Sequence, residues 1–249
     1  MSRQDFDFAH VQRYYFPHVD TLQNILFVAP VLLFSVIAHE YAHGYAALKQ
    51  GDTTAQQLGR LTWNPVKHID PFLTIIMPLM MGLMSNWRIM LGGAKPVPVN
   101  PANYRNYKRG DIIVSLAGVF VNLLIAVGCT GVIALLGYAG RSVAAIHDTV
   151  AILQVMMIYG VLINLGLIAF NLIPIPPLDG SHVMKYLLPP AWALKYQEMG
   201  RYGLLILIIM LSFGRGLLDL WMKPAYLVSG FLLASVEPLV LPKALEWFR

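Results

Sequence analysis

Long apolar runs separated by short polar loops constrain this chain more than any other feature. At 1.5 Å per residue, a helix of about 24 residues is roughly 36 Å long, enough to cross a bilayer core. Charged residues make up 12% of the chain, about half the share in a soluble domain. We therefore predict an all-α polytopic membrane protein. The apolar runs are 25–48, 72–91, 112–138, 150–172, 202–213 and 217–241.

The run 72–91 has two interpretations, because Pro, Gly, Ser, Asn and Arg residues interrupt it. If it re-enters the membrane, 13 Lys and Arg residues lie on one side and 5 on the other; if it spans, the division is 12 and 6. The positive-inside rule prefers re-entry by one residue, and the interruptions suit a segment buried in protein. We predict about five transmembrane helices plus a re-entrant segment, with the more basic side cytoplasmic.

The pattern leaves open whether the re-entrant region contains a small β-hairpin or sheet. Residues 94–99 alternate with two prolines, which is compatible with an edge strand because proline cannot donate to a central ladder. Such an edge could pair with an unwound substrate strand.

The domain organisation follows from the same spacing. Residues 1–22 are charged and lack the pattern of a signal peptide, so we expect an N-terminal interfacial segment that either lies at the bilayer surface or frays. Residues 23–249 are predicted to form a single membrane-embedded domain, since the loops are too short for a separate soluble one. The net charge is +5, and the basic residues lie in loops between apolar runs. This pattern favours contact with the lipid bilayer, and we expect no nucleic acid as a partner.

The first apolar run contains His39, Glu40 and His43 in an H-E-x-x-H pattern. Histidines four residues apart lie on one face of a helix and can bind one Zn²⁺. Glu40 lies beside that face, where it can take a proton from a metal-bound water and later give one to a leaving amine. A chance pentapeptide is the alternative, and it is weak because a carboxylate in mid-membrane is costly unless it is paired or functional.

A catalytic zinc needs a third protein ligand, and Asp179 is the best candidate. It lies in the Pro-rich stretch 171–180, where three prolines unwind a helix end and Gly180 frees the backbone beside the aspartate. Alone, this pattern would indicate a helix stop with a capping aspartate; with the H-E-x-x-H it indicates a ligand. His182, three residues later, is either a contact near the metal or an interfacial histidine.

An H-E-x-x-H in an apolar helix, followed by N-x-x-P and L-D-G, resembles the site-2 protease family of intramembrane zinc metalloproteases. The similarity covers about residues 24–186 and includes the segments 59–71 and 94–100. It fits the compact subgroup without a PDZ or CBS domain. One departure is Val119, where family members often have proline in A-G-P-x-x-N; we expect it to alter helix shape and not chemistry.

The resemblance implies one zinc per chain, held by His39, His43 and Asp179. It further implies that Glu40 activates a zinc-bound water, and that the enzyme hydrolyses peptide bonds of membrane-anchored proteins within or near the bilayer (regulated intramembrane proteolysis). Asn122, retained from the family motif, could donate to a developing oxyanion or to the substrate backbone. An interhelical hydrogen bond is an equally weighted role for Asn122.

The resemblance also implies a transmembrane protein or peptide as substrate, and it leaves room for an unidentified regulatory partner. The expected location is a prokaryotic cell (inner) membrane, with the active site nearer the cytoplasmic side. The alternative from another class is a zinc transporter or an inactive metal-binding scaffold. A transporter would show ionisable residues from several helices along a path. Here the candidates converge on one site, and an intact Glu40 speaks against an inactive relative.

Overall fold

The computed structural model describes residues 22–84 and 92–248. The described residues divide into two compact units, the first with residues 22–35, 122–170 and 219–248 and the second with 36–84, 92–121 and 171–218. The predicted interfacial segment lies outside the described residues except for Leu22, which begins the first helix. A single domain over 23–249 stays a prediction.

The described residues are mainly helical and contain no strand. Four of the described helices are long and apolar enough to cross a membrane: α1, α4, α5 and α9, as labelled below. The prediction of an integral membrane protein is confirmed. The helices are α1 (Leu22–Gln50), α2 (Thr54–Gln57), α3 (Met77–Met84), α4 (Tyr107–Ser142), α5 (His147–Asn171), α6 (Asp179–Met184), α7 (Pro190–Glu198), α8 (Gly203–Phe213), α9 (Arg215–Val236) and α10 (Pro242–Glu246).

The fifth predicted span, 202–213, forms α8, which has 11 residues. At 1.5 Å per residue α8 is about 17 Å long, shorter than a hydrocarbon core of about 30 Å. The helix α4 has 36 residues and is about 54 Å long, so it extends beyond the core. The exact number of spans therefore stays a prediction.

Asp70 caps the start of the ambiguous run 72–91, because its carboxylate accepts the N–H of Leu73 at 2.8 Å. A π-helical stretch, Pro71–Ile76, then leads into α3. After residues 85–91, which lie outside the described part, Gly93 donates its N–H to the Leu73 carbonyl at 3.0 Å. The Thr74 hydroxyl donates to the Gly93 carbonyl at 2.7 Å. Leu73 and Thr74, at the start of this run, therefore lie beside Gly93, which follows the run.

The small sheet that the sequence left open is absent from the described residues, because 94–99 has no regular secondary structure. Two of its six residues are prolines without an N–H. The Lys95 N–H donates to the His68 carbonyl at 2.8 Å, and the Val97 N–H donates to the Glu40 carboxylate at 2.8 Å. With these donors engaged elsewhere, no ladder forms along this segment.

Gln154 on α5 organises the core of the first unit. Its side chain is fully buried, and Nε2 donates to the carbonyls of Ile133 and Leu239, both at 3.0 Å. Oε1 accepts the N–H of Leu241 at 2.8 Å. One amide therefore joins α5, α4 and the segment between α9 and α10 within an otherwise apolar cluster.

Asp52 performs a similar role in the second unit, just after α1. Its carboxylate, 1% exposed, accepts the N–H of Asn100 at 2.6 Å and the side-chain amide of Asn103 at 2.9 Å. It also accepts the N–H of Thr54 at 3.1 Å. Asp52 therefore fixes the loop that follows residue 97 to the end of α1.

Replacing Gln154 by leucine should destabilise the protein by about 3 kcal/mol, because three buried backbone groups lose their hydrogen bonds. The measurement is the thermal denaturation of the purified protein in detergent. Thr130→Val is the matched control, since the Thr130 hydroxyl donates only to the Ala126 carbonyl one turn back, at 3.0 Å. Equal melting temperatures for Gln154→Leu and the wild type would contradict the role of Gln154.

Asp52 should make stability depend on pH. Burial raises the pKa of Asp52, but hydrogen bonds from Asn100, Thr54 and Asn103 outweigh it and lower the pKa below 3.8. Its contribution is therefore present above about pH 4 and is lost as the pH falls through the lowered folded-state pKa. Asp52→Asn should lower the melting temperature at pH 7 and flatten its decline between pH 5 and pH 3. Parallel melting curves for the two proteins across that range would refute this.

Candidate metal centre

His39, His43 and Asp179 meet in the second unit, with ligand atoms all within 4.8 Å of one another. Asp179 Oδ2 lies 3.1 Å from His39 Nε2 and 3.4 Å from His43 Nε2. The two imidazole rings are nearly perpendicular, with centroids 4.6 Å apart. The structure thus brings together the three residues that the sequence predicted as ligands.

The two histidines are adjacent because α1 is helical, which places residues i and i+4 one above the other. Asp179 arrives from another segment: α5 ends at Asn171, and α6 begins at Asp179 after the Pro-rich turn. A Cβ on Gly180 would lie 2.2 Å from the Leu172 carbonyl oxygen, so only glycine fits there. This close approach lets the turn present Asp179 in the first turn of α6.

The donor set fits a zinc ion. Histidine nitrogens and carboxylate oxygens bind zinc at about 2.0–2.2 Å, so tetrahedral ligand atoms lie about 3.3 Å apart. The separations of 3.1 and 3.4 Å match that spacing. His43 Nδ1 lies 2.7 Å from the Val114 carbonyl, which can only accept, so Nδ1 carries a proton and Nε2 is the nitrogen that faces Asp179. Ligating histidines typically make this kind of contact.

The charge of Asp179 also suits a cation. Burial raises the pKa of Asp179, but hydrogen bonds from His39 and His43 and the charges of those rings lower it by more. The pKa therefore lies well below its usual value, and the group is a carboxylate at neutral pH. The deprotonated form is the one that binds metal.

Glu40 lies next to His39 on α1, and its Oε2 accepts the Val97 N–H at 2.8 Å. Val97 is buried against α1: a Cβ on Gly44 would lie 2.8 Å from Val97 Cγ1. The segment 94–99 therefore covers the helix beside Glu40. Sequence reasoning missed the contact between Val97 and Glu40, because nearly every residue has a backbone N–H and the residue type does not show which one will donate.

Asn122 is fully buried on α4 and belongs to the first unit, whereas the three predicted ligands belong to the second. It follows Gly118 by four residues, so both lie on one face of α4. A Cβ on Gly118 would be 2.5 Å from His39 Cε1, so this glycine lets the His39 ring lie against α4. A catalytic role for Asn122 stays a prediction.

Sequence reasoning also missed Asp111, a buried carboxylate near the start of α4. It is bonded to His182, Lys185 and Tyr186, at and just after the end of α6. The available signal was an aspartate immediately before the apolar run 112–138. His182, left open by the sequence, takes part in this cluster.

Comparison with known proteins gives a consistent result. The model of peptidase family M50 matches residues 131–212. The chain is 36% identical over 190 residues to the Bacillus subtilis (strain 168) protein named "Putative zinc metalloprotease YwhC", covering 76% of this chain and 82% of that protein. It is 27% identical over 201 residues to "Putative zinc metalloprotease Rip2" of Mycolicibacterium smegmatis, covering 77% and 71%.

No solved structure matches the chain significantly. The similarity to YwhC extends over most of both chains. The resemblance drawn from the sequence motifs is therefore confirmed, and the chain belongs to peptidase family M50, the site-2 protease family.

Proposed function

We propose that this chain is a zinc metalloendopeptidase that hydrolyses peptide bonds of membrane-anchored proteins within or near the bilayer. The meeting of His39, His43 and Asp179 beside Glu40 carries the proposal. His39 lies eleven residues before the end of α1 at Gln50, which is about 16 Å along a helix able to cross the membrane. The names of the relatives, zinc metalloproteases, support the metal and the reaction.

The residues divide the chemistry between them. His39, His43 and Asp179 would hold the zinc, which supplies a Lewis acid that lowers the pKa of water and polarises a carbonyl. Glu40 takes a proton from the attacking water and delivers one to the leaving amine. The Val97 N–H holds one oxygen of the Glu40 carboxylate and so limits its rotation. Release of a peptide or a cytosolic domain from the membrane would follow, as in regulated intramembrane proteolysis.

The orientation we propose places the active site nearer the cytoplasmic side of a prokaryotic cell membrane. The ends of a spanning segment would be about 30 Å apart. In contrast, Gly93 and Leu73, near the two ends of the run 72–91, share a hydrogen bond. This supports re-entry, which puts the end of α1 and the turn before Asp179 on the more basic side. The bacterial relatives support the membrane type.

The partners in this proposal are the bilayer and a transmembrane protein or peptide substrate. A regulatory partner is a further hypothesis from the family resemblance. A passive metal scaffold would make no use of Glu40, so substitution of that residue separates the two functions.

Glu40→Gln should keep the zinc and lower peptide cleavage by about 10²–10⁴-fold, because the amide cannot accept and return a proton. The measurement is zinc content by mass spectrometry together with cleavage of a transmembrane peptide in detergent, for the wild type and the variant. Unchanged cleavage in Glu40→Gln would refute its role. Loss of zinc in the variant would show that Glu40 helps to build the site.

Asp179→Ala should weaken zinc binding by more than about 100-fold, since losing only an outer contact of a ligand already costs 10–100-fold. The measurement is retained zinc after dialysis against a series of zinc buffers. Asp148→Asn is the matched control, because the Asp148 side chain is 72% exposed and pairs with Lys243 at 2.7 Å. Zinc affinity equal to that of the wild type would remove Asp179 from the ligand set.

A further inference from the structure

One face of α4 contacts the candidate metal centre at successive turns. Asp111, Val114 and Gly118 are spaced i, i+3 and i+7, so they share that face. The Val114 carbonyl accepts from His43 Nδ1 at 2.7 Å, and Gly118 leaves room for the His39 ring. The positions of both histidine rings are therefore set by α4 as well as by α1.

Asp111 extends this face towards α6. Its side chain is 3% exposed, and three donors surround it. His182 Nδ1 lies 3.2 Å from Oδ1, while Lys185 Nζ and the Tyr186 hydroxyl lie 2.5 and 2.9 Å from Oδ2. A buried carboxylate is tolerated only when it is paired in this way, so the cluster forms a specific joint between α4 and the end of α6.

The position of Asp179 depends on that joint. The helix α6 has six residues and follows the Pro-rich turn, so neither its length nor a continuous helix from α5 fixes its direction. Asp179 lies at its start, His182 lies one turn later, and Lys185 and Tyr186 follow its end. A rotation of α6 about the turn would move Asp179 away from His39 and His43.

We propose that Asp111 is a positioning residue that holds Asp179 at metal-binding distance from the two histidines by anchoring α6 to α4. The proposal rests on the proposed function, because it assumes that Asp179 is a zinc ligand. It assigns Asp111 no contact with substrate or with reacting atoms. Its loss should therefore weaken zinc binding and reduce kcat at limiting zinc, and leave KM for the substrate nearly unchanged.

The experiment uses the full chain purified in detergent, with Asp111→Asn, Tyr186→Phe and Asp148→Asn beside the wild type. Asp111→Asn keeps the shape of the side chain but loses the charge that pairs with Lys185. Tyr186→Phe removes one of the three donors, and Asp148→Asn neutralises an exposed carboxylate elsewhere. Zinc affinity is measured by competition with a chelator, and kcat and KM are measured on a transmembrane peptide across a range of zinc concentrations.

We expect a 10–100-fold loss of zinc affinity in Asp111→Asn, a smaller loss in Tyr186→Phe and none in Asp148→Asn. Excess zinc should restore kcat in Asp111→Asn, with KM within about twofold of the wild type. The proposal would be overturned if Asp111→Asn bound zinc as tightly as the wild type, or if it lost activity that added zinc did not restore. A variant that is unfolded at every zinc concentration would overturn it too. If the wild type itself binds no zinc, the proposed function fails instead.

Discussion

Polar groups inside a membrane are stable only when they are paired, and the rest of this structure depends on that constraint. Apolar packing alone gives helices little preference for one another in lipid, because lipid tails are as apolar as leucine. Buried polar side chains therefore specify which segments meet. Gln154 does this in the first unit, and Asp111 and Asp179 do it in the second.

Much of this arrangement was predictable from residue type and spacing. The pair His39 and His43 follows from the helical period, and a helix was certain to continue through an apolar run of that length. Asp179 could be found because prolines and Gly180 mark a break where a ligand can be presented. The partners of Asp111 could not be predicted, since nothing in the sequence indicates that the start of α4 lies beside the end of α6.

The remaining differences have physical causes in the backbone. The run 202–213 is mainly apolar and forms α8 with almost the same bounds, but 11 residues are too few to cross a hydrocarbon core, so an apolar run does not by itself make a span. Residues 94–99 have an edge-strand pattern, yet Val97 donates to Glu40 and not to a strand. The sequence also could not predict that the Val114 carbonyl orients His43, because every residue has a backbone carbonyl.

The ligands of the candidate centre differ in how firmly the fold sets them. His39, Glu40 and His43 lie within two turns of one helix, so their mutual geometry follows from the helix itself. Asp179 joins them only through the Pro-rich turn and the short helix α6. A metal bound by all three ligands therefore links two segments distant in sequence, and it binds the folded unit far better than the unfolded chain. By mass action, zinc held by these three ligands would stabilise the second unit more strongly the better α6 is already held, so the proposed role of Asp111 would link stability and metal affinity.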